Sequence, residues 1–474
     1  MKKWFTLMLI IFAARAGAYT IPYEAWMGTF VGDSKVGWMM LKIDRSEFEG
    51  IKGYKVTTSI NNHLFVLGAD MTQIVDTVVY TDENYNPVKE VFSMSSGGAT
   101  STVTARFGKS SIECEVSSGS TASSKSIPIP EGPPLVADPL FTTSDAFPQI
   151  GKEYRMRYFN PLTLALEDLT VKVDKREKIT VRGKQYDTVS LENITPLGNM
   201  TVWQEADGGI VQVKGMMGIT MIRMSRDEAI ASDGAGKPED FAVLTNASSD
   251  KPIPNPREVK FLTAVLTGID DPKLIVSDSR QTASAVEGKS AAKFTVKAAA
   301  FDKAKSAKLP ILKAEFHEYL IATPYVDCDE SAVIEQSKQI VGSERNAYAA
   351  CAKIRAWIYG NLNVKGDIGI TRSASDVLKS RVGVCRDYAI LFAALARSAG
   401  IPCKIASGLI YTEGAFYYHA WVECWVGKWV PFDATLPTDF VDATHIKLAE
   451  GDATRMYTLA KVIGTLKVQV KEIK

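Results

Sequence analysis

The sequence predicts a multidomain α+β protein, with an antiparallel β-rich region followed by a unit of helices and strands. Residues 19–231 contain successive β-branched or alternating runs that are interrupted by Gly, Asn and Asp, a pattern typical of strands joined by turns. From Asp329 apolar residues recur at helical spacing, and strand-like runs follow Pro402. The chain has 474 residues, and a typical domain size of about 150 residues predicts about three units.

The composition gives no reason to expect nucleic acid or an acidic membrane as a partner. Apolar residues make up 46% and charged residues 23% of the chain, as in ordinary soluble globular proteins. The 55 Lys and Arg residues balance 54 Asp and Glu residues. A net charge of +1 gives no overall attraction to nucleic acid or to an acidic membrane, so neither is expected as a partner.

Residues 1–18 predict an export signal. A basic start, Met1-Lys2-Lys3, precedes an apolar run at 4–14 that is too short to span a bilayer, and small residues at 16–18 permit cleavage before Tyr19. An uncleaved anchor is the alternative, because Arg15 lies in the cleavage region. No later segment approaches 18 uninterrupted apolar residues, so we expect a mature chain without a membrane span, in the periplasm or outside the cell.

Glycine- and proline-rich segments predict the turns and domain boundaries in the rest of the chain. Residues 206–209 (ADGG) predict a tight hairpin, and four prolines near 127–135 predict a split of the β-rich region into two halves. Glycine and proline at 232–256 predict a linker. Residues 257–325 then form a small β segment that packs on the last domain, residues 326–474.

Three residues in the last domain predict nucleophilic catalysis. Cys385 lies where a helical pattern begins, and a helix N-terminus lowers the pKa of a thiol. His419 and Asp433 follow on separate strand-like segments and can supply a base and the acid that orients it. The metal-ligand spacing of known sites is missing, so we expect neither a metal nor a cofactor.

Strand geometry sets a condition on this trio. A two-residue turn at 427–428 would place Asp433 on the opposite face of the sheet from His419. A three-residue connection at 426–428 pairs Trp425 with Trp429 and puts both side chains on one face. We predict this second register.

These motifs resemble the core of the transglutaminase-like superfamily. The resemblance is carried by residues 383–389 (GVCRDYA), 399–402 (AGIP), 419–423 (HAWVE) and 429–435 (WVPFDAT), and covers about the last third of the chain. It implies a papain-like fold in which Cys385 is the nucleophile, His419 is the general base and then the acid, and Asp433 orients the imidazole. The chain departs from the usual pattern at Cys403, Cys424 and Ala434, none of which belongs to the triad.

Two further residue predictions have open alternatives. Trp421 either lines an acyl tunnel as a substrate-binding residue or packs as a core aromatic. If residues 412–415 form a hairpin loop, Cys403 lies opposite Cys424, where the two form either a disulfide or a pair of packed thiols.

The sequence therefore predicts an exported thiol enzyme that acts on amide bonds through a thioester. Its expected substrate is a peptide or protein, including a cell-wall peptide, and hydrolysis by a protease or amidase is favoured over transamidation because water is the default acceptor. The alternative is a non-catalytic envelope or extracellular binding protein that keeps the fold, which would suit the large β-rich region. The sequence does not specify an oligomeric state.

Overall fold

The computed structural model describes residues 21–66, 69–96, 99–118, 121–137, 149–215, 218–231, 240–298, 301–364, 371–438 and 440–474. The predicted export signal at 1–18 and the first part of the predicted linker, 232–239, lie outside these ranges. Among the described residues, no helix has both the length and the apolar character that crossing a membrane requires.

The N-terminal region is one large sheet of fifteen strands. The strands are β1 (Tyr23–Val31), β2 (Ser34–Phe48), β3 (Ile51–Val66), β4 (Ala69–Asp82), β5 (Pro87–Ser96), β6 (Ala99–Phe107), β7 (Ser111–Ser118), β8 (Thr121–Pro128), β9 (Leu135–Val136), β10 (Glu153–Asn160), β11 (Ala165–Val181), β12 (Lys184–Thr195), β13 (Gly198–Gln204), β14 (Ile210–Lys214) and β15 (Ile219–Met224). The hairpin predicted at 206–209 joins β13 to β14, and Gly208 takes the positive φ of +84° that favours glycine there.

The two predicted halves of this region belong to the same sheet. Its order runs from β8 at one edge through β1, which pairs with β15, to β9 at the other edge. The proline-rich stretch therefore carries the chain from one edge to the other. Met27 and Leu41 share a hydrophobic cluster with Met156 and Leu169, although their strands are distant in the sheet order. The sheet thus curls until its two arms pack against each other.

Much of the predicted linker is ordered, which corrects that expectation for residues 240–256. After α1 (Arg226–Ile230), the chain forms α2 (Phe241–Thr245) and the short strand β16 (Ser248–Ser249). Phe241 is 8% exposed and packs in a cluster with Val31 and Leu64. A short segment with few apolar residues is held here by tertiary contacts, which local composition does not reveal.

The C-terminal side contains the remaining elements. In chain order they are β17 (Phe261–Thr267), β18 (Gln281–Ala285), β19 (Ala291–Lys297), α3 (Ser331–Val341), α4 (Ala347–Asn361), β20 (Asn363–Val364), α5 (Ala374–Ser380), β21 (Val382–Gly383), α6 (Cys385–Ser398), β22 (Cys403–Thr412), β23 (Ala415–Trp425), β24 (Trp429–Phe432), β25 (Ile446–Gly451) and β26 (Lys467–Ile473).

In the described part of the chain, these strands form two larger sheets and the short β20–β21 pair. The first has the order β24-β23-β22-β25, and α6 packs on β22 and β23. The second has the order β16-β26-β17-β19-β18, so the last strand of the chain completes the small β segment. Leu262 and Phe294 of that segment share a hydrophobic cluster with Phe416 of β23. The expected small segment and last domain therefore share a core.

Candidate active site

The structure places Cys385 as the first residue of α6, as the sequence predicts. The start of this helix is fixed by Asp387, whose buried carboxylate accepts a hydrogen bond from the backbone N–H of Val384 at 2.9 Å. Arg372 lies 3.1 Å from the same carboxylate. A Cβ at Gly383 would lie 2.6 Å from the Asp387 Cβ, so glycine allows this close approach. The thiol therefore sits at a rigid, electropositive helix end.

His419 and Asp433 meet on one face of the neighbouring sheet. Trp425 pairs with Trp429, which confirms the predicted register of the β23–β24 hairpin. His419 Nε2 lies 2.8 Å from Asp433 Oδ2, and both side chains are almost fully buried. Because the carboxylate can only accept, this nitrogen carries the proton of the hydrogen bond.

The other nitrogen of the His419 ring is available to hydrogen-bond the Cys385 thiol. The Cys385 thiol and the His419 ring form a side-chain hydrogen bond, and Nδ1 is the nitrogen that Asp433 leaves available. The backbone N–H of Ala420 also donates to the sulfur. Burial raises the pKa of Cys385, but the charge and hydrogen bond of His419 outweigh this effect, so the pKa lies below its ordinary value.

His419 and Asp433 are both held in their charged forms. Burial lowers the pKa of His419, but the charges of Asp433 and Cys385 dominate and raise it to about 10. Burial opposes ionisation of Asp433, yet contacts with His419 and His445 hold its pKa well below the usual range. A thiolate–imidazolium pair beside a carboxylate is the protonation state that these contacts favour.

The structure adds a second histidine that sequence reasoning assigned no chemical role. His445 is fully buried, and its Nε2 lies 3.2 Å from Asp433 Oδ2. Its Nδ1 lies 3.4 Å from Asp442 Oδ2, and that carboxylate lies 2.9 Å from Arg257 Nη1. Asp433 is thus shared by two imidazoles.

A repeated motif in the sequence could have revealed this arrangement. The tripeptide Asp-Ala-Thr occurs at 433–435 and again at 442–444. In each copy the Asp Oδ1 accepts hydrogen bonds from the backbone N–H and the hydroxyl of the Thr, with N–O distances of 2.8 Å in both. In each copy Oδ2 remains for a histidine, His419 in the first and His445 in the second.

Among the residues that the structure describes, two groups of side chains have atoms close enough to hold a metal ion. In His419, Asp433 and His445 the potential ligand atoms lie within 4.8 Å, with both imidazoles directed at one carboxylate oxygen as hydrogen-bond partners. The second group, Asp278, Glu423 and Glu450, surrounds the ammonium of a buried lysine. Lys447 Nζ contacts all three carboxylates, at 2.9 Å from Glu423.

The remaining candidates lie in the packed interior. Trp421 is 1% exposed and its ring lies 5.3 Å from the ring of His445, so it packs as a core aromatic in the conformation seen here. Cys403 pairs with Cys424 in the predicted register, and their sulfurs lie 3.5 Å apart as two packed thiols.

Comparison with known families identifies the fold around this site. A family model described as the transglutaminase-like superfamily matches residues 334–434, a range that includes Cys385, His419 and Asp433. The C-terminal region is a transglutaminase-like domain. The match supports a papain-like thiol enzyme as the general class, as the residue motifs predicted.

One curated protein is similar to part of this chain. An uncharacterized protein of Mycobacterium leprae (strain TN) is 31% identical over 147 residues, which are 29% of this chain and 50% of that protein. The chain thus spans about half the length of this curated relative.

Two solved structures are weakly similar. One from Cytophaga hutchinsonii, named a "Putative Cysteine Protease", is 19% identical and covers 46% of this chain and 86% of its own, with a TM-score of 0.32. Another from Parabacteroides distasonis ATCC 8503, named a "Putative Protease", is 12% identical and covers 75% of this chain and 69% of its own, with a TM-score of 0.20. Similarity at this level carries no argument about function.

Proposed function

We propose that this protein is an exported thiol enzyme that cleaves amide bonds of a peptide or protein substrate. The observation that carries the proposal is the hydrogen-bonded series from the Cys385 thiol through His419 to Asp433, where the second link measures 2.8 Å. Nucleophile, base and orienting acid are the minimum set for acyl transfer by a thiol.

The first half of the reaction forms an acyl-enzyme. The Cys385 thiolate attacks the amide carbonyl carbon, and the π electrons of the carbonyl move to its oxygen. As the tetrahedral intermediate collapses, the C–N bond breaks and His419 donates its Nδ1 proton to the departing amine. The backbone N–H of Cys385, at the N-terminus of α6, is our candidate for one donor to the oxyanion.

The second half returns the enzyme to its starting state. His419, now neutral at Nδ1, accepts a proton from water as the water oxygen attacks the thioester carbon. The C–S bond then breaks, and the thiolate leaves together with a carboxylic acid. An amine in place of water would give transamidation. We favour hydrolysis because water is the default acceptor.

Trapping of the acyl-enzyme tests the proposal directly. The protein would be incubated with peptide digests of casein and of cell-wall material, quenched in acid, and analysed by mass spectrometry for a peptide bound to Cys385. We expect a hydroxylamine-sensitive thioester, which Cys385→Ala removes. His419→Ala should reduce adduct formation by at least tenfold.

The same variants decide between this function and a binding or assembly role. A folded wild-type protein whose Cys385 neither forms adducts nor reacts with iodoacetamide faster than a free thiol would contradict the enzyme proposal. It would favour the non-catalytic alternative, in which the fifteen-stranded sheet recognises a partner.

A further inference from the structure

We propose that His445 is a positioning residue for the Cys385–His419 pair, acting through the carboxylate of Asp433. The inference rests on the proposed function, because it assigns His445 a part in the same acyl transfer. It goes beyond the three motifs of the triad, since His445 lies outside the matched residues 334–434.

The Asp433 carboxylate takes part in four hydrogen bonds among the described residues. Oδ2 faces His419 Nε2 at 2.8 Å and His445 Nε2 at 3.2 Å. Oδ1 accepts from the backbone N–H of Thr435 at 2.8 Å and from its hydroxyl at 2.7 Å. All four acceptor directions of the carboxylate are therefore used, and it cannot turn about the Cβ–Cγ bond without losing bonds.

The position of the His445 ring is itself fixed by its neighbours. Its Nδ1 lies 3.4 Å from the Asp442 carboxylate, which Arg257 contacts at 2.9 Å. The guanidinium of Arg280 donates to the backbone carbonyls of Asp442 and His445. The Trp421 ring stands edge-on to the imidazole at 5.3 Å, with an interplanar angle of 85°. The ring is thus fixed in position and in plane.

His445 and Asp433 are both buried away from bulk water. His445 is 0% exposed and Asp433 is 1% exposed. At this depth a lost donor is not replaced by bulk water, so the carboxylate would satisfy itself by turning or shifting. Either movement changes the direction of the His419 ring, on which transfer of the Nδ1 proton depends. A second imidazole therefore fixes the geometry of the first.

The side chains of His, Gln and Asn allow a sharp test. Gln places an amide N–H near the position of His Nε2 and would keep the donor to Asp433. Asn places it near Nδ1, on the side of Asp442, and would not reach Asp433. His445→Gln and His445→Asn are thus a matched pair of neutral amides that differ in which carboxylate they can reach.

The measurement is the rate of iodoacetamide alkylation at Cys385 as a function of pH, read by peptide mass spectrometry. We expect His445→Gln to stay within about threefold of wild type. For His445→Asn we expect a midpoint about one pH unit higher, which is about a tenfold lower rate at pH values below the midpoint. Thermal melting of both variants reports on their folding.

Two outcomes would overturn the inference. One is equal alkylation profiles for the Gln and Asn variants. The other is a lower melting temperature for Asn with an unchanged midpoint, which would make His445 a purely structural residue. Failure of the proposed function looks different, because His419→Ala would then leave the rate and midpoint of alkylation unchanged.

Discussion

At the scale of single residues, Cys385 owes its ionisation to its neighbours and not to exposure to water. Burial works against the thiolate, and the adjacent Asp433 charge does so as well, while His419 and the Ala420 N–H favour it. The balance therefore depends on the imidazolium. A buried thiol without such a partner has the opposite behaviour, as Cys328 shows with a pKa raised to about 11 by burial.

This balance predicts the pH dependence of alkylation. In wild type the rate should reach its plateau below pH 9, because the pKa of Cys385 is lowered. In His419→Ala the Ala420 N–H still favours the thiolate, but burial, which has the largest effect on this thiol, and the Asp433 charge both raise its pKa. The midpoint should then move above 9, and the rate at pH 7 should fall by about tenfold or more. Stopped-flow alkylation between pH 5 and 10 measures both.

A control variant separates electrostatics from packing in this experiment. Cys328→Ala removes a buried thiol elsewhere in the domain and should leave the alkylation profile of Cys385 unchanged. A midpoint that stays below 9 in His419→Ala would show that another group ionises the thiol.

At the scale of elements, buried charge links β23, β25 and the segment just before β18. Lys447 of β25 is fully buried and contacts Glu423 of β23, Glu450 of β25 and Asp278, which lies just before β18. Burial opposes ionisation of Asp278 and Glu450, but the Lys447 charge holds the pKa of both carboxyl groups below the usual range. The Lys447 ammonium thus links β23 and β25 of one C-terminal sheet to the segment that leads into β18 of the other.

Lys447→Met should destabilise the protein by about 3–5 kcal/mol, because Asp278 loses its ammonium partner and Lys404 is left to neutralise both the buried Glu423 and the half-buried Glu450. In wild type the lowered pKa values contribute stability that is present above pH 4 to 5 and is lost in acid. In the variant the excess negative charge of these carboxylates instead destabilises the fold at high pH, and protonation relieves it. The deficit should therefore shrink from pH 8 to pH 5 in denaturant titrations.

The exposed Lys471 supplies the control for this prediction. Lys471→Met should change the free energy of unfolding by less than about 0.5 kcal/mol at either pH. A deficit for Lys447→Met that grows in acid would contradict the assignment of charge in the cluster.

Contact between β22 and β25 sets the position of His445, which immediately precedes β25. Gly408 of β22 pairs with His419 on one side, and a Cβ added there would lie 1.9 Å from the backbone oxygen of Ile446. Gly408→Ala should therefore push β25 away and cost about 1–3 kcal/mol of stability. Gly360→Ala, in the exposed end of α4 with open space around it, should instead stabilise by about 0.5–1 kcal/mol. Denaturant midpoints of the two variants test the opposite signs.

At the scale of the whole molecule, the N-terminal sheet contacts the transglutaminase-like domain through the ends of its strands. Ser118 at the end of β7 is 3% exposed, and its hydroxyl donates to the Asp376 carboxylate of α5 at 3.0 Å. Ser101 of β6 is hydrogen-bonded to Tyr325. These contacts join residues that are more than 200 positions apart in the chain.

A double-mutant cycle with Ser118→Ala and Asp376→Asn measures this contact. We expect a coupling free energy of about 0.5–1.5 kcal/mol from denaturant titrations, the usual net value of one hydrogen bond. Ser126→Ala, on the adjacent strand and bonded to Glu113 instead, should show no coupling with Asp376→Asn. Equal coupling for both serines would mean that the domains do not meet at Ser118.

The local features of the site were within reach of the sequence. Helical periodicity predicted the helix that begins at Cys385, and face parity predicted the register that joins Trp425 to Trp429. The same reasoning placed Cys403 opposite Cys424. These features depend on residues within about 20 positions of one another, where backbone geometry leaves few alternatives.

The environment of the triad was decided by tertiary structure. Arg257, Arg280 and His445 converge on Asp442 and Asp433 because β17–β19, β25 and the final strand β26 complete a shared core. Other long-range contacts ordered the expected linker, where Phe241 packs with Val31 and Leu64, and united the two expected halves of the N-terminal sheet, where β1 pairs with β15. Sequence determined that Cys385 begins a helix and that His419 and Asp433 share one face of the sheet, because these features follow from local geometry. Only the fold decided which distant side chains surround them, because burial in a common core brings together residues that no local spacing connects.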